Sequence, residues 1–272
     1  MAVSIRTDCV GKIKVVEELK SRPALEISWC SWWCRNWRAI LGELVATTLL
    51  IFLCCMTCIP IDGVPLITPM YSPIGSGLIV LFIAQSFGHI SGAFMNPSVT
   101  LLAVIWGKIS LPLGIAYAIA ECLGATIGYG MLMVLSPSDL IAGGICTTQP
   151  HAGHTVYQAL GVEVVFTAAL GFVICSVWDP VNEEKNECTS IKFGLSVSGL
   201  AIAGGPLAGA SMNPARSLGP AIWTARWSSH WIYWVGPLFG GAVTVTLYKL
   251  VWLKREPITQ PRLLAWNDDR EA

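Results

Sequence analysis

Charged residues are scarce in this chain of 272 residues. Asp, Glu, Lys and Arg together make up 12% of it, whereas an average soluble domain is about 25% charged. Seventeen Lys and Arg balance seventeen Asp and Glu, so the chain has no basic excess with which to neutralise phosphates. The composition therefore argues against a nucleic-acid partner and against a soluble enzyme.

Long apolar segments account for much of the remainder. Hydrophobic residues make up 54% of the chain, and its mean hydropathy is +0.61. A helix needs about 20 apolar residues to cross a lipid bilayer. Six suitable runs lie at about 38–59, 73–91, 112–135, 157–178, 191–207 and 229–253. The sequence predicts an all-α polytopic membrane protein with six transmembrane helices.

Two further apolar segments are too short to cross a bilayer. They cover about 96–106 and 213–223, and both begin at an Asn-Pro pair. Proline suits the first turn of a helix, because its missing N–H would be unsatisfied there in any case. Both segments are predicted to be re-entrant half-helices that are buried within the protein.

Positive charge is missing from two of the connections. No Lys or Arg occurs in 60–72 or 136–158, whereas seven precede residue 39 and five follow residue 248. Because cytoplasmic loops are enriched in Lys and Arg, both termini are predicted to be cytoplasmic. The chain is thus divided into an N-terminal tail, 1–37, a membrane domain, 38–253, and a C-terminal tail, 254–272.

The ten cysteines do not indicate a disulfide scaffold. Five of them lie inside apolar runs, where a thiol behaves as a small hydrophobic group, and we interpret these as packing residues: Cys54, Cys55, Cys58, Cys122 and Cys175. Cys30 and Cys34 precede the first span, where palmitoylation and a plain interfacial position are both open.

No catalytic or metal-binding set emerges from the residue pattern. Four histidines are scattered without a convergent nucleophile and base, so the protein is not expected to be an enzyme. His151 and His154 have the spacing of a surface metal site, but ordinary loop histidines explain them better. We expect neither a metal nor a cofactor.

The chain repeats itself at an offset of 117 residues. This shift superposes Gly92-Ala93 on Gly209-Ala210 and Met95-Asn96-Pro97 on Met212-Asn213-Pro214. Each unit, 38–135 and 157–253, holds three spans and one half-helix. Because three is odd, the second unit must be inverted in the membrane, and the half-helices should meet near the midplane.

The meeting point of the half-helices is predicted to select against ions. A helix N-terminus carries about half a positive elementary charge, so two that converge disfavour any cation between them. Asn96 and Asn213 stand at these N-termini and can each offer an amide N–H to a guest oxygen. A water oriented in this way breaks the hydrogen-bonded chain that protons need. Alternatively, both asparagines could merely cap their helices.

These motifs resemble those of the aquaporin, or major intrinsic protein, family. The resemblance covers about 36–253 and is carried by Asn96-Pro97-Ser98, by Asn213-Pro214-Ala215-Arg216 and by 88–93 before the first box. It implies a passive channel for water and small uncharged solutes that excludes protons and ions. It also implies a homotetramer in the plasma membrane. Ser98 departs from the family's usual Ala.

The resemblance also implies an outer selectivity filter. Matched spacing assigns it to Ser76, Ala201, Ala210 and Arg216. Three of these four are small, which favours glycerol and urea as additional permeants, unless Phe82 or Phe193 fills the gap.

A second set of positions resembles the water-type branch: Ser217, Ala221, Tyr233 and Trp234. A water-type backbone with a small-residue filter is similar to the insect glycerol-conducting aquaporins, the entomoglyceroporins. A water-selective channel is the first alternative. A non-conducting adhesion or junction protein on the same scaffold is the alternative of another class.

Three acidic residues fall within predicted spans, where an unpaired carboxylate is costly. The resemblance implies that Glu43 and Glu163 brace the re-entrant backbone. Glu121 stands where the family usually has Gln, so it is either protonated or bonded to a donor that the sequence does not identify. A secondary transporter would need ion-coordinating acids at the interrupted helices, which instead hold Asn, Pro, Ser and Ala. For the tetramer contacts we expect small-residue helix faces around Gly124, Gly128, Gly240 and Gly241.

Overall fold

The computed structural model describes residues 29–59, 70–137 and 144–254, without the side chains of 185 and 186. Every regular element in these ranges is helical. The eight α-helices are α1 Trp29–Met56, α2 Tyr71–Ser91, α3 Pro97–Trp106, α4 Leu111–Leu135, α5 Val156–Trp178, α6 Thr189–Ala208, α7 Pro214–Thr224 and α8 Ile232–Val251. A 3-10 helix, Pro180–Cys188, connects α5 to α6.

Six of these helices are long and apolar enough to cross a membrane, which confirms the prediction of six spans. Most of the predicted ends lie within a few residues of the observed ones. The first span is the exception, because α1 begins at Trp29 rather than at residue 38. At 1.5 Å per residue its 28 residues extend about 42 Å, beyond the roughly 30 Å hydrocarbon layer.

The extra turns of α1 cover residues 29–37. Trp29 and Trp33 are exposed there, and the Arg38 guanidinium lies 5.4 Å from the centre of the Trp37 ring. Tryptophan beside arginine is typical of a membrane interface. The sequence predicts a tail here because the charge interrupts the apolar run, yet the segment continues the helix. Residues 1–28 and 255–272 of the predicted tails lie outside the described residues.

Each half-helix begins at an asparagine that caps it. Asn96 Oδ1 accepts a hydrogen bond from the Ser98 N–H, 2.9 Å away, and Asn213 Oδ1 accepts from the Ala215 N–H at 3.0 Å and the Arg216 N–H at 3.2 Å. Capping of this kind satisfies N–H groups that have no intrahelical partner. Both asparagines therefore do act as helix caps.

The far end of α3 is closed by a cation from another helix. Lys249 of α8 donates from Nζ to the carbonyl oxygens of Ile105 at 3.0 Å and Trp106 at 3.3 Å. A positive charge at a helix C-terminus is favoured by the helix dipole and also satisfies carbonyls that lack a partner. The short helix can therefore end within the protein.

The two repeats match in backbone detail where the second span turns into the half-helix. The residues with positive φ are Gly92, Ala93 and Met95 in the first repeat and Gly209, Ala210 and Met212 in the second. In each repeat a buried tyrosine of the last span holds the end of the second span. Tyr117 Oη donates to the Ser91 carbonyl at 3.0 Å, and Tyr233 Oη donates to the Ala208 carbonyl at 2.9 Å.

Glycines allow the spans of this chain to approach each other closely. The glycines that we expected on tetramer faces are Gly124, Gly128, Gly240 and Gly241, and all four are buried. The first two lie against α1 carbonyls, the third against the Val164 carbonyl of α5 and the fourth against Leu102 of α3. The prediction that they contact other subunits is wrong, because these faces are already covered within one chain.

The structure pairs Cys55 with Cys146 as a disulfide, so the interpretation of Cys55 as a packing residue is wrong. The other four predicted packing cysteines are free thiols: Cys54 and Cys175 are buried, and Cys58 and Cys122 are partly buried. The partner of Cys55 lies 91 residues away in sequence, in the connection before α5. Local apolar patterning carries no information about such a pairing.

The crossing of α2 and α6 provides a direct test of this packing. A Cβ atom on Gly194 would lie 2.7 Å from both the Gly77 carbonyl oxygen and the Leu81 Cβ, whereas a Cβ on Gly199 of the same helix would meet nothing within 4 Å. We expect Gly194→Ala to destabilise the protein by about 1–3 kcal/mol. Gly199→Ala should be neutral or stabilising by up to about 1 kcal/mol, because Ala favours the helix. Thermal unfolding in detergent measures both. Equal unfolding temperatures for the two variants would contradict the close crossing.

Candidate permeation pathway

A cavity of about 340 Å³ lies between the two repeats. Both re-entrant segments line it, and α1, α2, α5 and α6 supply most of the remaining wall. The capping asparagines, Asn96 and Asn213, are among its lining residues although each is only 6% exposed. The predicted central residues therefore reach one common space.

The two asparagines are linked across the repeat boundary. Asn96 Nδ2 donates to the Met212 carbonyl, and Asn213 Nδ2 donates to the Met95 carbonyl, both at 2.8 Å. Because each Oδ1 atom is held by helix N–H groups, each amide nitrogen is directed away from its own helix. An NH₂ group has two donors, and these bonds use one of each pair. The geometry leaves one N–H on each residue for a guest oxygen in the cavity.

The same contacts bring the N-termini of α3 and α7 together. Proline occupies the first position of both helices, and none of the described residues that line the cavity is acidic. Two positive dipole ends thus face the cavity with no carboxylate there to offset them. Such a surface raises the energy of a cation and accommodates a neutral solute that accepts hydrogen bonds.

Two buried carboxylates hold the re-entrant backbone in place. Glu43 accepts from the Phe94 N–H at 3.0 Å, the Met95 N–H at 2.7 Å and the Ser91 hydroxyl at 2.6 Å. In the second repeat, Glu163 accepts from the N–H groups of Ser211 at 2.8 Å and Met212 at 2.9 Å. These bonds satisfy the N–H groups of turns that contain residues in the left-handed backbone conformation. L-residues seldom adopt this conformation.

The third acid, Glu121, is fully buried in α4. Its Oε1 atom accepts a hydrogen bond from the Thr100 hydroxyl of α3 at 2.6 Å, whereas its Oε2 atom has no partner among the described residues. Thr100 is thus the donor that the sequence did not identify. It links the first half-helix to the last span of the same repeat.

The four predicted filter residues, Ser76, Ala201, Ala210 and Arg216, all line the cavity. Phe82 does not, because it is 48% exposed on the outer surface of α2. Phe193 does line the cavity, but it precedes Ala201 by eight residues in α6 and so lies about 12 Å away along the helix. Neither phenylalanine fills the space among the four.

Arg216 is oriented by the connection before α5. Its Nη1 atom donates to the Cys146 carbonyl at 2.6 Å, and its Nη2 atom lies 3.3 Å from Cys146 Sγ. The disulfide to Cys55 ties this acceptor to α1. Sequence reasoning identified the arginine but missed its acceptor, because nothing in the sequence indicates that Cys146 lies beside it.

The two loop histidines have hydrogen-bond partners of their own. His154 Nδ1 lies 3.0 Å from the Leu207 carbonyl, and His151 Nδ1 accepts from the Gly153 N–H at 3.0 Å. The contact of His154 fastens the loop to the end of α6, whereas that of His151 lies within the loop. Within the part of the chain that the structure describes, no group of three potential metal ligands is present.

Comparison with known proteins agrees with this geometry. The family model described as "Major intrinsic protein" matches residues 31–248. Mouse aquaporin-4 is 35% identical over 236 residues, which cover 85% of this chain and 73% of the relative. Human aquaporin-1 is 31% identical over 237 residues, with 85% and 88% covered.

A solved structure has the same fold. The aquaglyceroporin from Plasmodium falciparum superposes with a TM-score of 0.70 at 23% identity, covering 79% of this chain and 96% of that one. The family match extends over most of the chain and over both repeats. The chain therefore belongs to the major intrinsic protein family, whose members are passive membrane channels for water and small solutes rather than enzymes.

Proposed function

We propose that this channel conducts glycerol and urea as well as water, and that it excludes protons and ions. The observation that carries the proposal is the composition of the outer filter. Ser76, Ala201 and Ala210 present at most a hydroxymethyl group to the cavity, and only Arg216 is large. A carbon skeleton needs more width than a single file of water, and this filter offers it.

Arg216 would supply the polar contact at this filter. A guanidinium has five N–H donors, and the contacts with Cys146 engage two of its nitrogens through one donor each. The remaining donors can bind a hydroxyl or a urea oxygen as it passes. The positive charge also repels cations before they reach the centre.

Asn96 and Asn213 would act as the central donors. Their Nδ2 atoms are each fixed by a crossing hydrogen bond of 2.8 Å, so their free N–H groups meet a guest without reorganisation. Pro97, Ser98, Pro214 and Ala215 form the first turns behind them and are buried. A water bound there accepts from both asparagines and directs its own hydrogens outwards, which interrupts proton transfer along the file.

Membrane placement is part of the same proposal. Disulfides persist in oxidising compartments, so the Cys55–Cys146 bond supports an extracellular position for the end that holds Arg216. The distribution of Lys and Arg supports cytoplasmic termini. The proposal also includes a channel domain over 38–253, a location in the plasma membrane and assembly as a homotetramer. The exposed apolar side chains of the spans leave ample surface for contacts between subunits.

The flux experiment compares osmotic water permeability with glycerol and urea entry, measured by stopped-flow light scattering on proteoliposomes. The native protein should conduct water, glycerol and urea. The double variant Ala201→His, Ser76→Phe should keep water permeability and lose most of the glycerol and urea flux, because both substitutions narrow the filter.

Phe82→Ala is the matched control, since Phe82 is exposed outside the cavity, and it should behave as the native protein. A native protein that passes only water would support the water-selective alternative. Absence of all flux would support the non-conducting adhesion role.

The disulfide gives a second, independent test. The double variant Cys55→Ser, Cys146→Ser should lose about 2–4 kcal/mol of stability, because the bond closes a long loop. Its unfolding temperature in detergent should no longer respond to a reductant, whereas that of the native protein should fall. Cys188→Ser, which removes an exposed free thiol, should respond as the native protein does.

On intact cells, a reductant that does not cross membranes should lower native glycerol flux. An effect seen only after permeabilisation would place this end inside the cell.

A further inference from the structure

The cavity that holds the filter is separated from a second cavity by a group of aromatic rings. The second cavity, of about 420 Å³, lies towards the 3-10 helix and the start of α6. Five residues line both cavities: Ala84, Gly92, Phe94, Trp178 and Phe193. Because they border both spaces, they form the boundary between them. We call Phe94, Trp178 and Phe193 the inner collar.

The second cavity is polar where the collar is not. Its wall includes Gln85, His89, Glu187, Thr189 and Ser190. Ser190 Oγ donates to Gln85 Oε1 across the α2–α6 contact at 3.0 Å. A permeant that leaves the asparagines for this polar space must pass the rings first. Aromatic faces offer no strong hydrogen-bond acceptor, so the passage is apolar on that side.

Two of the three collar rings, Phe94 and Trp178, are held in position by aromatic partners. The Phe94 ring lies 5.9 Å from the rings of both Tyr117 and Trp178, measured between centroids. Trp178 in turn lies 5.9 Å from Trp106. At these separations and angles the rings pack edge to face or tilted, which are the favourable arrangements for aromatic pairs.

Hydrogen bonds fix the Tyr117 side chain, which packs against the collar, and the backbone of Phe94 in the collar. Tyr117 Oη donates to Ser91, and the Phe94 N–H donates to Glu43. A ring with partners on two sides cannot rotate aside without losing both. Phe94 and Trp178 are thus fixed parts of the boundary between the two cavities.

We propose that the inner collar is a second selectivity filter that sets the upper size of the uncharged polyols that this channel conducts. The proposal rests on the proposed function, since it assumes that the outer filter admits such solutes. At the outer filter three of the four side chains are small, whereas at the collar three of the five boundary residues are large rings. In this channel the inner collar, rather than the outer filter, therefore discriminates between solutes by size.

The test measures the entry of glycerol, of a four-carbon polyol and of a five-carbon polyol into proteoliposomes, each relative to water. Phe94→Leu and Trp178→Ala should raise the polyol-to-water ratio by roughly threefold to tenfold and should admit a longer polyol than the native protein does. Ala84→Leu adds bulk at the same boundary and should lower the ratio. Phe239→Ala removes an exposed ring of α8 and serves as the matched control.

The outcomes separate the collar from the outer filter. If the native protein conducts glycerol and neither collar variant changes the polyol ratio, the collar proposal is wrong and the proposed function stands. If the native protein conducts only water, the proposed conduction of glycerol and urea fails, and the collar proposal then requires that the collar variants admit glycerol, since the outer filter would be wide enough for it. Loss of water and polyol flux together in both collar variants would indicate a structural role and would also overturn the proposal.

Discussion

A helix that begins or ends inside a membrane leaves backbone groups without partners in the helix. These groups must find hydrogen-bond partners elsewhere within the protein, because the hydrocarbon offers none. Two half-helices that begin inside the protein leave several such groups, and much of the polar chemistry of the described residues serves them. Asn96 and Asn213 cap the starts of the helices, Glu43 and Glu163 accept from the turns before them, and Lys249 closes one far end. The pathway depends on this one constraint.

In the proposed mechanism, the partners that satisfy the backbone also determine which solutes can pass. Each asparagine accepts hydrogen bonds from its own helix through Oδ1 and directs its NH₂ group towards the opposite repeat. The capping therefore positions the proposed central donors. A carboxylate placed behind the turn, rather than in the cavity, fixes the loop without attracting cations to the pathway. The two repeats contain equivalent hydrogen bonds. For example, Tyr117 and Tyr233 donate to equivalent carbonyl groups at the ends of α2 and α6.

Several features could be predicted because they depend on local pattern or on self-similarity. Apolar runs gave the six spans, Asn-Pro at the start of short runs gave the half-helices, and the offset of 117 residues gave the inverted arrangement. The start of α1 could not be predicted from hydropathy, since Arg35 and Arg38 interrupt the apolar run without ending the helix. The proposed outer filter required a resemblance to a known family, because its four members come from separate elements.

Features that depend on contacts distant in sequence could not be predicted. Cys55 is apolar in its local setting, and only the fold brings Cys146 to it. Gly128 suits a contact between subunits as well as one between helices of one chain, and the structure places it against α1. Thr100 and Glu121 lie 21 residues apart in sequence. The inner collar combines a re-entrant turn, the end of α5 and the start of α6, so no sequence motif contains it.

The central claim is that amide donors and converging dipoles exclude ions while neutral solutes pass. Asn213→Asp tests it most directly, because aspartate caps a helix as well as asparagine does but replaces the NH₂ donors with a negative charge. Proton and cation conductance should be measured beside water permeability in proteoliposomes. The account predicts no ion conductance for the native protein, a clear conductance for the variant, and water flux in both. An ion-conducting native protein, or a variant that conducts water and still excludes ions, would contradict it.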